Sequence, residues 1–228
     1  MLNNLKIGVR LGIGFAVTLA LLIAIAVVGY TRISALNSEL ELMVQDKFPK
    51  TVQSNDIIDA INTIARRLRN AYIFSGVESQ KEIDQIPAQR KIISDNLDKL
   101  EKNITSEKGK EMLKKVQAAR GAYVTDQDKF IELLKANKRE ECVSLLAGGL
   151  RKTQTEYMKS VTDLIDFQTE LMTKAGKEAE VMADNAHSML LALGVIAALL
   201  TMAFGWFITR SITKPVGEAL QVTQRLAE

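Results

Sequence analysis

Two stretches without a single charge decide what this chain can become. Leu11 to Thr31 gives 21 consecutive uncharged residues, and Ser188 to Thr209 gives 22. A helix of about 20 apolar residues is enough to cross the hydrocarbon layer of a bilayer. The 228 residues therefore divide into a short N-terminus (1–10), a first transmembrane helix (11–31), one sizeable polar block (32–187), a second transmembrane helix (188–209) and a polar tail (210–228). A cleaved signal peptide has an apolar core of only about 7–15 residues, so the first run is too long for one, although Ala24-Ile25-Ala26 resembles a cleavage site.

The flanking charges give the orientation. Lys6 and Arg10 precede the first run with no acid beside them, and Arg210, Lys214 and Arg225 follow the second against Glu218. Basic residues near membrane ends stay on the cytoplasmic side, so both termini are expected in the cytoplasm. The block 32–187 is then expected outside, on the far side of the membrane from the cytoplasm. Glu39 and Glu41 after the first run, and Glu178, Glu180 and Asp184 before the second, agree with this. Trp206, the only tryptophan, falls where an interfacial aromatic anchor belongs.

Composition excludes several classes. The net charge is +3, but residues 32–187 hold equal numbers of basic and acidic side chains, so no basic face is available and nucleic acid is not an expected partner. One cysteine, Cys142, forbids an internal disulfide, and one histidine, His187, has no partner for metal or catalytic chemistry. With no Ser-His-Asp set, metal cluster or phosphate loop, neither an enzyme nor a cofactor is expected.

Inside the polar block, apolar residues recur every three or four positions, with no strand-like alternation. This is an all-α pattern. Pro49 suits the first turn of a helix, followed by the stripe Ile57, Ile61, Ile64, Leu68 and Ala71, which ends at Ser75 and Gly76. A second stripe joins Ile86, Ile93, Leu97, Leu100 and Ile104, with Pro87 in its first turn or kinking it. A third joins Met112, Val116, Ala119, Tyr123, Phe130 and Leu134, and a fourth joins Tyr157, Val161, Leu164, Leu171, Ala175, Met182 and Ala186. Short connections make neighbours antiparallel. The expectation is an up-down-up-down four-helix bundle flanked by two transmembrane helices.

Polar residues on the apolar faces are the informative exceptions. Arg90 interrupts the second stripe. Arg120 and Gln127 share the face of Val116 and Tyr123, and Gln154 shares the face of Tyr157. Counted from the distal turns near Gly76 and Asn137 at about 1.5 Å per residue, Arg66, Arg69, Arg90, Gln127, Arg120, Tyr123, Gln154 and Tyr157 fall roughly 10–27 Å below the tip, close enough to share one zone. Buried guanidiniums are costly unless paired, so such a zone calls for anions, and a carboxylate ligand held by arginine forks with tyrosine and glutamine donors would supply them. Internal pairing of Arg90 or Arg120 with Asp84, Asp126 or Asp128 is the competing reading. Arg66 points about 150° away from its helix's stripe, toward solvent or a second subunit.

The order of parts, ending in ITRSITKPVGEALQVTQRLAE, resembles the sensory half of a bacterial methyl-accepting chemotaxis protein. Ile212, Thr213, Lys214, Pro215 and Val216 resemble the opening of a HAMP linker. IARRLRNAYIF resembles the arginine-bearing first helix of the sensory domain, and TEYMKSVTDLIDFQ its fourth. The resemblance implies a homodimer that binds a small carboxylate or acidic amino acid near its interface, through Arg66, Arg69, Gln154 and Tyr157. It also implies a small displacement of the fourth helix on binding. The chain stops at Glu228, inside the first HAMP helix, so it reads as a truncated receptor whose cytoplasmic kinase and adaptor complex would be reached only through a further segment. Two other readings remain open: the input half of a sensor histidine kinase or other HAMP-coupled enzyme, and a ligand-free membrane scaffold for a protein partner.

Overall fold

The computed structural model describes residues 6–227, with side chains through residue 217. The first five residues and Glu228, and the side chains of Glu218 and Arg225 used in the charge argument, lie outside the described residues. Among the described residues seven α-helices follow one another: α1 (Ile7–Leu42), α2 (Phe48–Ile73), α3 (Gly76–Asp84), α4 (Ile86–Asn103), α5 (Glu107–Lys135), α6 (Arg139–Ala147) and α7 (Gly149–Ala227), with a π-helical turn at Met43–Lys47 between the first two. No strand occurs among the described residues. The helices form two compact units, one of residues 40–176 and one of residues 1–39 with 177–228.

The larger unit is a four-helix bundle. Its rods are α2, the α3–α4 pair, α5, and α6 with the first part of α7. The core is built from the four expected stripes: Ile57, Ile61, Ile64, Leu68 and Ala71 of α2 have no exposed surface, and Ile86, Ile93, Leu97 and Leu100 of α4, with Ile104 just past its end, are buried with them. Val116, Tyr123 and Phe130 enter from α5, and Tyr157, Val161 and Leu164 from α7. Burying side chains of this size contributes roughly 1.5–3 kcal/mol each, which offsets the entropy of ordering a chain with no disulfide. Burial also takes in Leu113, Leu150, Phe167 and Gln168, while Met112, Ala119, Leu134, Leu171, Met182 and Ala186 are only half-buried.

The breaks between helices follow the local chemistry. Gly76 (φ 57°) and Asn137 (φ 58°) take the left-handed conformation at the two distal turns, glycine at no steric cost and asparagine as the next most tolerant type. Pro87 stands in the first turn of α4, where its missing N–H is not needed. The second rod is therefore two helices, joined at Gln85. Ser106 caps α5, its Oγ accepting from the Gly109 N–H at 3.2 Å. The fourth rod also begins earlier than its stripe suggests, with α6 packed ahead of a break at Gly148, and it then runs through Gly176 without interruption. Pro49 does not start a helix after a loop. The chain is already helical there, and the Phe48 N–H donates to the Met43 carbonyl five residues back, so a wider π turn accommodates the position whose proline cannot donate.

The smaller unit pairs α1 with the later part of α7. Both helices are long and apolar enough to cross a membrane, and their large side chains, Phe15, Leu22, Val27, Leu191, Val195 and Leu199 among them, face outward. The helices approach closely at Gly14, which is buried, and where an added Cβ would stand 2.8 Å from Ile208 Cδ1.

Candidate ligand site

One cavity in the bundle, of about 440 Å³, is lined by Ala65 and Arg69 of α2, Tyr123 of α5, Leu146 of α6, and Leu150, Arg151, Gln154 and Thr155 of α7. Three of the residues singled out from the sequence, Arg69, Tyr123 and Gln154, therefore meet at one place. The α2 stripe turns Arg69 to the edge of the core beside Ala65, and the break at Gly148 lets α7 begin with Leu150 inward while Arg151, Gln154 and Thr155 share the rim at i, i+3 and i+4. Two arginines, one glutamine, one tyrosine and one threonine line the space, and no acidic residue is among them.

Tyr123 is 1% exposed, and its Oη, like that of fully buried Tyr157, has no hydrogen-bond partner among the described residues. The rings lie 6.1 Å apart at 50°, a tilted pair of the favourable kind. Burial pushes both phenols well above their ordinary value of 10.0; Arg69 and Arg90 oppose this at Tyr123, and Arg120 opposes it at Tyr157. Both hydroxyls therefore stay protonated as donors, and an unmet buried donor costs about 1–3 kcal/mol.

The other arginines are placed differently. Arg90 reaches across from α4 to α5, donating from Nε and Nη2 to Gln127 Oε1 at 3.0 and 2.8 Å and from Nη2 to Asp128 Oδ1 at 2.7 Å. Buried Gln127 is thus a partner for Arg90 within the bundle. Arg120 donates to Ser94 Oγ at 2.6 Å, also between α5 and α4. Arg66 is exposed on the outer face of α2. Gln154 Nε2 lies 3.8 Å from Met158 Sδ, a weak contact that a stronger acceptor would displace. Arg151 was not singled out from the sequence; its spacing from Gln154 and Thr155 was the available signal. The thiol of Cys142 lies 3.9 Å from the Phe130 carbonyl, and burial pushes its pKa up, as expected of a small core residue.

A family profile described as a four-helix-bundle sensory module for signal transduction matches residues 4–183. The chain belongs to this family. It carries the four-helix-bundle sensory module of methyl-accepting chemotaxis-type transducers, and the all-helical bundle over residues 40–176 is that sensory fold. A protein of Acetivibrio thermocellus named as a sensory transducer is 23% identical over 155 residues, covering 68% of this chain and 28% of that protein. The YvaQ protein of Bacillus subtilis, also named as a sensory transducer, is 26% identical over 179 residues, covering 75% of this chain and 31% of its own length. The chain thus spans less than a third of the relatives it matches.

Proposed function

We propose that this chain is the sensing and transmembrane part of a receptor that binds a small carboxylate, such as a di- or tricarboxylate or an acidic amino acid, in the cavity between α2 and α7. The cavity lining carries the reading: Arg69 and Arg151 stand with Gln154, Thr155 and Tyr123 around a space with no acidic side chain. Carboxylate oxygens match guanidinium forks in geometry and charge. Arg66, with Asn62 on the same outward face of α2, belongs in this reading to the seam of a homodimer.

α1 and α7 cross the bacterial cell membrane in this reading, with the bundle on the periplasmic side and the basic termini in the cytoplasm. A ligand held between α2 and α7 favours whichever packing of the two helices fits it better, and shifts the balance only by its differential affinity. α7 is one unbroken helix from Gly149 to Ala227, so a displacement begun at Arg151 and Gln154 has a stiff element to follow toward the HAMP-like segment at Ile212–Val216.

The test is a thermal-shift screen of the full chain in detergent against organic acids and amino acids, with calorimetry of the best hit. A carboxylate at 100 times its dissociation constant raises stability by about 2.7 kcal/mol. Arg69→Ala and Arg151→Ala should abolish the shift and Arg66→Ala should spare it. A shift lost only in Arg66→Ala moves the site to the seam, and no shift with any anion removes the carboxylate reading in favour of a protein partner.

A further inference from the structure

A second group of cations gathers far along the chain from the sensory cavity, where the start of α1 lies against the end of the apolar part of α7. One cavity there, of about 380 Å³, is lined by Arg10, Phe207, Arg210, Ser211, Lys214 and Pro215. Another, of about 660 Å³, is lined by Trp206, Thr209, Arg210, Thr213 and Lys214. Arg210 and Lys214 border both, and no acidic side chain among the described residues borders either.

The backbone explains why Arg10 is there. Pro215 lies inside α7 and has no N–H, so the carbonyl four residues before it, that of Ser211, loses its helical donor. Arg10 Nη1 supplies one across the helix pair at 3.4 Å. Arg210 is placed by a different contact, its guanidinium carbon 5.3 Å from the centre of the Trp206 ring, a cation–π distance. The Trp206 and Phe207 rings are 64% and 38% exposed, so apolar rings and cations border the same spaces.

We propose that Arg10, Arg210 and Lys214 form a site for a phosphate anion, the headgroup phosphate of an acidic phospholipid. Guanidinium forks and an ammonium are the donors that phosphate oxygens take, and indole beside them belongs at headgroup depth. The lipid's acyl chains would lie along the outward-facing side chains of α1 and α7. Because Arg10 also holds the carbonyl freed by Pro215, an occupied site would bear on the point where α7 leaves the apolar layer. The proposal rests on the reading that the two apolar helices cross a membrane.

Trp206, the only tryptophan, makes the test direct. The full chain is placed in nanodiscs of phosphatidylcholine containing a small fraction of lipid brominated near the headgroup, either phosphatidylcholine or phosphatidylglycerol, and quenching of Trp206 is read. Brominated phosphatidylcholine should quench, which reports insertion, and brominated phosphatidylglycerol should quench at about five-fold lower mole fraction or less for each cation engaged. Lys214→Gln, which leaves the Arg210–Trp206 contact in place, should lower that preference about five-fold. Lys6→Gln, a cation near the same membrane face that lines neither cavity, should leave it unchanged. No quenching by either lipid overturns the membrane placement and the site with it. Quenching without preference, or equal losses in Lys6→Gln and Lys214→Gln, leaves insertion standing and overturns the site in favour of diffuse surface charge. Loss of the preference on adding inorganic phosphate assigns the cations to a soluble anion and overturns the lipid assignment.

Discussion

Tyr123→Phe separates what the bundle needs to fold from what the cavity needs to bind. The substitution removes one oxygen from a residue that is 1% exposed and whose hydroxyl has no partner among the described residues, while keeping the ring against Tyr157 at 6.1 Å. An unmet buried hydroxyl costs about 1–3 kcal/mol, so the free bundle should become more stable by up to that amount. With about 2.1 cal/mol/K of unfolding entropy per residue over residues 40–176, the melting temperature should rise by roughly 3–10 °C. Tyr123 also lines the cavity, so the gain from a saturating carboxylate should shrink. Tyr157→Phe serves as the control, because Tyr157 is buried with the same orphaned hydroxyl but does not line the cavity. It should stabilise the free protein equally and leave the ligand-induced shift intact. The assay is near-ultraviolet circular dichroism of the tyrosines on heating, with and without ligand. A lower melting temperature for Tyr123→Phe refutes the reasoning, since it means the hydroxyl is satisfied in the folded state. An equal loss of ligand response in both variants refutes the assignment of Tyr123 to the site.

Three further outcomes follow from the same geometry. Both phenols have folded-state pKa values above the ordinary 10.0, so above pH 10 the unfolded chain sheds protons that the folded chain keeps; stability should fall as pH rises from there, by about 1.4 kcal/mol per pH unit for each tyrosine, and denaturant melts should show the slope vanish in Tyr123→Phe/Tyr157→Phe. Gly109→Ala would place a Cβ 2.6 Å from Ile104 Cγ2 and 2.8 Å from Ser106 Oγ, against a stiff β-branched core residue and the cap of α5, so it should cost about 1–3 kcal/mol in the same melts. Gly76→Ala meets no atom within 4 Å but must hold φ at 57°, so its cost should be limited to the left-handed strain of about 1–2 kcal/mol.

The four rods and most of their core positions were legible because amphipathic spacing is a local property: Ile57 to Ala71 and Ile86 to Ile104 could be read without knowing what they pack against. The distal turns were legible too, Gly76 and Asn137 being residue types that tolerate positive φ. The π turn was not, since Pro49 is equally compatible with a helix start and with a helix already under way, and only the Phe48 N–H bond to Met43 distinguishes them. The short helices α3 and α6 were missed for want of length, with nine residues each and few apolar positions to set a period. The candidate site was legible in kind and only partly in place. Arg90 and Arg120 sit on apolar faces as the spacing requires, but which partners they meet depends on how α4 and α5 are aligned, and no single helix encodes that. Arg69, Tyr123 and Gln154 converge because the break at Gly148 sets where α7 begins.

The contact between Arg10 and Ser211 also limits how far α1 and α7 can slide past one another. In a regular helix every carbonyl is taken by the N–H four residues on, so along this stretch of α7 the proline leaves one oxygen that a side chain from α1 can claim without competition. An arginine has enough rotatable bonds to follow that oxygen through a shift of an ångström or so. A slip of a full turn, about 5.4 Å, would present it with carbonyls already occupied by their own helix and would drive Ile208 away from the close fit at Gly14. The pair is thus built like a sliding joint with a stop, tolerant of small strokes and resistant to ratcheting.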